Sequence, residues 1–251
     1  MTSETTAPAE DAAGAPASPR RPRRLWLLLR DVLVIVLIAV VVSFLVKTFL
    51  VRSFFIPSGS MEQTLQIDDR ILVDELTPRF GGYDRGDVVV FRDPGGWLPQ
   101  VPTPDRSFAV EAVDWVLALV GISAPDSKDH LIKRIVGVAG DHVVCCNALG
   151  QIEINGVPVD ESEYLNLAAG QSAPQDVPFD VTVPDGSLWV LGDNRDHSRD
   201  SRYNMDQPSR GFVPVDNVVG RAFLLTWPLS RFGLIDSHPG VFTGVPDPVT
   251  P

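Results

Sequence analysis

The chain has 251 residues, carries a formal net charge of −11 and contains two cysteines and four histidines. Nucleic-acid binders concentrate Lys and Arg on one face, so this acidic balance argues against nucleic acid as a partner. The scattered histidines and adjacent Cys145 and Cys146 give no zinc-type spacing, and no metal or other cofactor is expected. Neighbouring cysteines rarely reach normal disulfide geometry, so the pair reads as two small, partly buried apolar residues. A strained vicinal disulfide and an intermolecular bridge are the alternatives.

Residues 1–24 are rich in Ala, Pro, Ser, Thr and Glu and end in Pro19-Arg20-Arg21-Pro22-Arg23-Arg24. They cannot bury enough to offset their ordering entropy, and a disordered cytoplasmic tail is expected. Residues 25–52 follow as a transmembrane anchor. The uncharged run from Val32 to Val46 is short, roughly 22 Å as helix against a roughly 30 Å hydrocarbon core. Snorkelling of Arg30, Lys47 and Arg52 extends the span to about Asp31–Val51. A cleavable signal peptide is the competing reading, but bulky Phe49-Leu50-Val51-Arg52-Ser53-Phe54-Phe55 follows, without a small-x-small cleavage site. The arginines ahead of the span predict a cytoplasmic N-terminus and an extracytoplasmic domain over 53–235 in the cell membrane.

That domain reads as mostly β, an antiparallel sheet with a second, smaller β-rich insertion at about 143–186. Apolar runs predict strands at Arg70–Val73, Asp87–Phe91, Leu131–Val138, His142–Cys146, Gln151–Ile154, Ser187–Leu191 and Val218–Leu225. Asn155-Gly156 predicts a hairpin turn. Residues 97–130 read as an inserted excursion whose amphipathic helix spans 107–120, bracketed by Pro102, Pro104 and Pro125. A loose tail is expected from 236 to 251.

Chemistry concentrates in three places: Ile56-Pro57-Ser58-Gly59-Ser60-Met61 just beyond the anchor, Lys133 in a β-branched run, and the polar cluster Gly192-Asp193-Asn194-Arg195-Asp196-His197-Ser198-Arg199-Asp200-Ser201-Arg202. A serine is a weak nucleophile without a base within reach, and a lysine serves as base only if burial keeps it neutral. Asp196, His197 and Ser198 are consecutive and cannot form a triad among themselves.

The span together with Phe54–Leu65, Arg85–Phe91, Ile132–Asp141 and Gly192–Arg202, in that order, resembles the bacterial type I signal peptidases. The resemblance implies a membrane-anchored serine endopeptidase that removes Ala-x-Ala-type signal peptides from exported preproteins with a Ser-Lys dyad. Its implied nucleophile is Ser60 and its general base Lys133. Ser58 is implied as the side-chain donor of the oxyanion hole and Ser198 as the hydroxyl that orients the amine. Arg134 with Asp193, and Asp200 with Arg202, are implied as supporting ion pairs. Gln63 stands where proline is common in the family and His197 where asparagine is more usual; altered loop rigidity rather than lost activity is expected. Phe54, Ile56, Met61 and Leu65, with Leu131 and Ile132, are expected to line shallow pockets for small substrate side chains. The Phe54-Phe55-Ile56 approach is expected to rest against membrane lipid. A related peptidase dedicated to one pilin-like or transfer-system substrate, and a non-enzymatic surface scaffold, are the rival readings.

Overall fold

The computed structural model describes residues 21–49, 51–99, 129–166 and 177–248. The expected excursion helix at 107–120 and the start of the N-terminal tail lie outside these. The chain divides into two compact units, Met1–Ser43 and Phe44–Pro251.

Helix α1 (Arg21–Phe49) occupies the place of the expected anchor and begins earlier than the sequence suggests. Residues 21–24, expected as disordered, form its first turn, where the missing N–H of Pro22 is no loss because first-turn donors have no intrahelical partner anyway. Its large apolar side chains from Trp26 to Val42 are exposed. Among the described residues, however, no helix is long and apolar enough to cross a membrane.

The second unit is mostly β. Its strands are β1 (Val51–Phe55), β2 (Arg70–Asp74), β3 (Val88–Arg92), β4 (His130–Gly137), β5 (His142–Cys145), β6 (Ile152–Ile154), β7 (Val157–Pro158), β8 (Phe179–Thr182), β9 (Ser187–Leu191), β10 (Val213–Pro214), β11 (Val218–Trp227) and β12 (Gly233–Leu234). A single turn of helix, α2 (Thr77–Gly81), follows β2. The larger sheet runs β1-β2-β11-β3-β4-β9-β10 with β12 on β11, and the smaller runs β7-β6-β5-β8. Every pairing is antiparallel.

β4 is the strand that matters for function. It lies between β3 and β9, with Lys133 opposite Val89 and Arg134 opposite Leu191. Seven of its eight residues are buried, as expected of a central strand covered on both faces. Its neighbour β9 ends at Leu191, so the Gly192–Arg202 segment starts beside Lys133 and Arg134. One apolar cluster, with Phe54, Ile56, Met61, Leu65, Ile71 and Val90 at its centre, packs under the nucleophile turn. Burying such side chains stabilises the turn by about 1.5–3 kcal/mol each. The Arg85–Phe91 and Ile132–Asp141 motifs are joined by a fork in which Arg85 Nε and Nη2 donate to Asp141 at 2.8 and 2.6 Å.

Two expectations are corrected. The tail is not loose where it is described: Phe242 packs into the apolar cluster of the smaller sheet, and the Pro246 carbonyl accepts from Arg85 and Asn155. Apolar burial and a charged donor hold a segment whose proline content alone suggested a free end. Cys145 and Cys146 are joined as a vicinal disulfide, the alternative rather than the favoured reading.

Candidate active site

The nucleophile turn begins at the end of β1. Ser58 is extended and exposed, and Gly59–Met61 form a single 3₁₀ turn. Met61, fully buried, pins that turn to the core, and Leu65 N–H donates to the Met61 carbonyl at 2.7 Å. Ser60 is thereby turned inward, only 5% exposed. Gln63 then adopts a φ of 93°, a value proline's ring forbids, so a proline here requires a different backbone.

Lys133, 4% exposed, donates from Nζ to Ser60 Oγ at 2.7 Å and to the Ile132 carbonyl at 2.9 Å. Burial lowers its pKa from 10.5 to about 8, while the negative charges of Asp200 and Asp193 pull it partly back. At pH 7 about 10% of the amine is then neutral, about 300-fold more than at its ordinary value. A buried hydroxyl against a partly neutral amine is an arrangement that can deprotonate the hydroxyl for attack on a carbonyl.

Ser198 departs from its expected role. It is buried, but its Oγ has no hydrogen-bond partner, and the amine is held instead by the carbonyl of its own strand. That backbone acceptor carries no residue signature, so sequence could not point to it. A β-carbon on Gly192 would run into Ser198 Oγ and the Ser60 carbonyl, so a side chain has no room there.

Both named Arg–Asp pairs form in the fold. Arg134 donates from Nε and Nη2 to Asp193 at 2.9 and 2.8 Å, both side chains 1% exposed. Arg134 also bonds the Gly86 carbonyl at 2.7 Å and lies 4.3 Å from the Tyr164 ring centroid. Thr64 Oγ1 donates to Asp193 at 2.5 Å, which ties the nucleophile segment to the pair. Asp200 takes a fork from Arg202 at 2.9 Å and accepts from Gly192 N–H at 3.1 Å.

Several residues were not legible as site residues. Arg195 forms a buried fork with Glu161 at 2.6 and 3.0 Å, and Tyr164 donates to the same carboxylate at 2.7 Å. Burial lowers the Arg195 pKa, but Glu161 overrides it and holds the guanidinium above its ordinary value. Glu161 lies in the loop after β7, so the smaller sheet's connection is anchored to the Gly192–Arg202 segment. Asn194, named only as part of the cluster, reaches Gly59 and Glu62. The sole hint was position within a polar motif, and for Glu161 there was none.

The expected substrate pockets divide. Phe54, Ile56, Leu131 and Ile132 line a shallow cleft with Phe55, Pro57, Val90 and His130. Met61 and Leu65 are 0% exposed and belong to the core, because they fix the nucleophile turn rather than face solvent. Phe54 is also buried, which leaves it little surface for lipid. Among the described residues, no cluster of His, Cys, Asp or Glu could hold a metal ion.

Residues 29–227 match the family described as "Signal peptidase, peptidase S26". Signal peptidase I of Mycobacterium tuberculosis (strain ATCC 25618 / H37Rv) is 39% identical over 244 residues, covering 90% of this chain and 82% of that protein. The probable signal peptidase I of Mycobacterium leprae (strain TN) is 35% identical over 94% of this chain and 88% of its own length. A solved signal peptidase I from Enterococcus faecalis V583 is 25% identical, over 55% of this chain and 95% of that one, at a TM-score of 0.34, too low to carry weight. The site is that of a peptidase, and the chain belongs to the S26 signal peptidase family.

Proposed function

We propose that this chain is a membrane-anchored serine endopeptidase that cleaves N-terminal signal peptides from exported preproteins with Ser60 and Lys133 as its dyad. The observation that carries the reading is the 2.7 Å contact between Ser60 Oγ and Lys133 Nζ inside a buried site, on a chain of the signal peptidase family.

In this mechanism neutral Lys133 takes the Ser60 proton as Oγ attacks the scissile carbonyl. The developing oxyanion is met by the Ser60 backbone N–H and, from the exposed side, by Ser58 Oγ. Lys133 then gives its proton to the departing amine, and water releases the acyl group by the same route in reverse. Arg134 with Asp193, and Asp200 with Arg202, act as scaffold, holding the Gly192–Arg202 segment beside β4. Ser198 serves the amine only if its free hydroxyl turns toward Lys133 when substrate binds.

The cleft lined by Phe54, Ile56, Leu131 and Ile132 is shallow and apolar, which favours the small side chains of an Ala-x-Ala site. The exposed apolar side chains of α1 support its reading as the anchor, with the N-terminus cytoplasmic and the second unit extracytoplasmic. Anchoring enzyme and substrate in one bilayer raises the effective concentration of the cleavage site.

The test is cleavage of a preprotein bearing an Ala-x-Ala site by detergent-solubilised wild type, Ser60→Ala and Lys133→Ala. Cleavage by the wild type alone is expected; turnover by purified Lys133→Ala near the wild-type rate defeats the dyad. Running several unrelated preproteins separates a general peptidase from one dedicated to a single substrate.

A further inference from the structure

The peptide group between Gly59 and Ser60 contains both the Gly59 carbonyl and the Ser60 N–H, and its planarity fixes one when the other is held. Asn194 holds it. Its Nδ2 donates to the Gly59 carbonyl at 3.0 Å, and its backbone N–H donates to the Ser60 carbonyl at 3.1 Å. The second Nδ2 hydrogen goes to Glu62 Oε2 at 3.1 Å, and Asn194 Oδ1 faces His197 Nδ1 at 3.3 Å. Both ends of the amide are therefore engaged, and the Nδ2 end faces Gly59. Glu62 N–H also donates to the Gly59 carbonyl, at 3.1 Å, so that oxygen accepts two bonds. Asn194 is 4% exposed, which keeps water from competing for these contacts.

We propose that Asn194 is a positioning residue that acts through the Gly59–Ser60 peptide, aiming and strengthening the Ser60 N–H that stabilises the oxyanion, with Glu62 and His197 setting the orientation of its amide. This rests on the dyad reading above. Aiming follows from planarity. Strengthening follows because a carbonyl that accepts hydrogen bonds polarises its amide and makes the N–H a better donor. The same contacts give His197 a use: its ring meets the face of Asn194 opposite the nucleophile turn. Glu62 is folded back so closely that a β-carbon on Gly59 would meet its Oε1 at 2.7 Å, so a side chain there would displace the Glu62 carboxylate.

Losing an oxyanion donor outright costs about 10²–10³ in rate, and a donor left in place but poorly aimed costs less, roughly 10–50-fold. The experiment compares full-length wild type, Asn194→Asp and Asn194→Ser by preprotein cleavage. Rates are scaled to active sites titrated with an acylating inhibitor, and affinity is measured for a substrate-like peptide aldehyde, whose serine adduct carries the oxyanion. Asn194→Asp keeps the shape and removes the donor; Asn194→Ser removes the amide without adding charge, and supplies the answer if the first variant does not fold. We expect kcat per titrated site to fall roughly 10–50-fold with KM within about two-fold, and aldehyde affinity to fall by the same factor as kcat/KM. A purely structural role instead lowers the titrated fraction while leaving kcat per site unchanged. That result, or undiminished aldehyde affinity, overturns the proposal. Cleavage by Ser60→Ala run alongside defeats the dyad reading itself, whereas a required Ser60 with an indifferent Asn194 defeats only the positioning role.

Discussion

Lys133 Nζ stands 2.7 Å from Ser60 Oγ across 73 residues of chain. The contact joins the central strand β4 to a turn at the end of the edge strand β1. The amine's second bond, to the Ile132 carbonyl, means that the strand itself fixes the direction in which Lys133 points.

The pH dependence of catalysis follows from burial. With a Lys133 pKa of about 8, kcat/KM rises through that value as the amine loses its proton and levels above it. Asp200 and Asp193 raise this pKa, so Asp200→Asn, which preserves the shape that accepts from Gly192 N–H, moves the rising limb to lower pH. A pH–rate series on both proteins checks this; an unmoved limb contradicts the electrostatic account.

The burial that makes Lys133 a usable base costs stability. The folded state holds Lys133 at about 8 against 10.5 when free. The unfolded chain therefore binds more protons between those values, and stability rises with pH across that window. Below about 8 the full penalty applies. Lys133→Met removes it and is expected to be inactive yet about 2–3 kcal/mol more stable at pH 7. The gap narrows as pH approaches 10.5. Urea unfolding at pH 7 and pH 10 measures it, and an equal gap at both contradicts the prediction.

Gly192→Ala is expected to abolish cleavage while the protein still folds. A β-carbon there runs into Ser198 Oγ and the Ser60 carbonyl, so the nucleophile turn must move away from Lys133. Ser198→Ala is the informative companion. Its hydroxyl is buried without a partner, so its loss leaves stability unchanged or improves it by about 1 kcal/mol. Any fall in its kcat then reports on the amine rather than the fold. Thermal melts beside cleavage rates separate the two effects.

Glu161→Gln breaks the buried fork to Arg195 and leaves a guanidinium without its counter-charge. Breaking such a pair costs about 3–5 kcal/mol. Because Glu161 belongs to the loop after β7, unfolding of this variant also tests whether that connection supports the Gly192–Arg202 segment. Loss of less than about 1 kcal/mol in urea argues that water reaches the pair.

The strands were legible because their apolar runs and turn residues are local: Asp87–Phe91, Leu131–Val138 and Ser187–Leu191 form near their expected bounds. Ser60, Lys133 and the two Arg–Asp pairs were singled out through ordered motifs that resemble a family. Met61 and Leu65 were misassigned because apolar side chains near a nucleophile look the same from sequence whether they face substrate or core. Ser198 was given the role that the Ile132 carbonyl fills, since a backbone acceptor has no letter of its own. Glu161 and Tyr164 gave no signal, for the arginines they meet, Arg195 and Arg134, belong to distant strands and loops.

By itself the sequence determined the mostly β character and the apolar helix ahead of it, since periodicity is a property of neighbouring residues, and its motifs singled out Ser60 and Lys133 by resemblance to a family. Only the tertiary structure decided that the lysine is buried enough for its pKa to fall to about 8, that it bonds the carbonyl of its own strand, and that Asn194 bonds the nucleophile turn while Ser198 Oγ has no partner. Those outcomes depend on which groups are brought within 3 Å and away from water, and that is a property of packing, not of order along the chain.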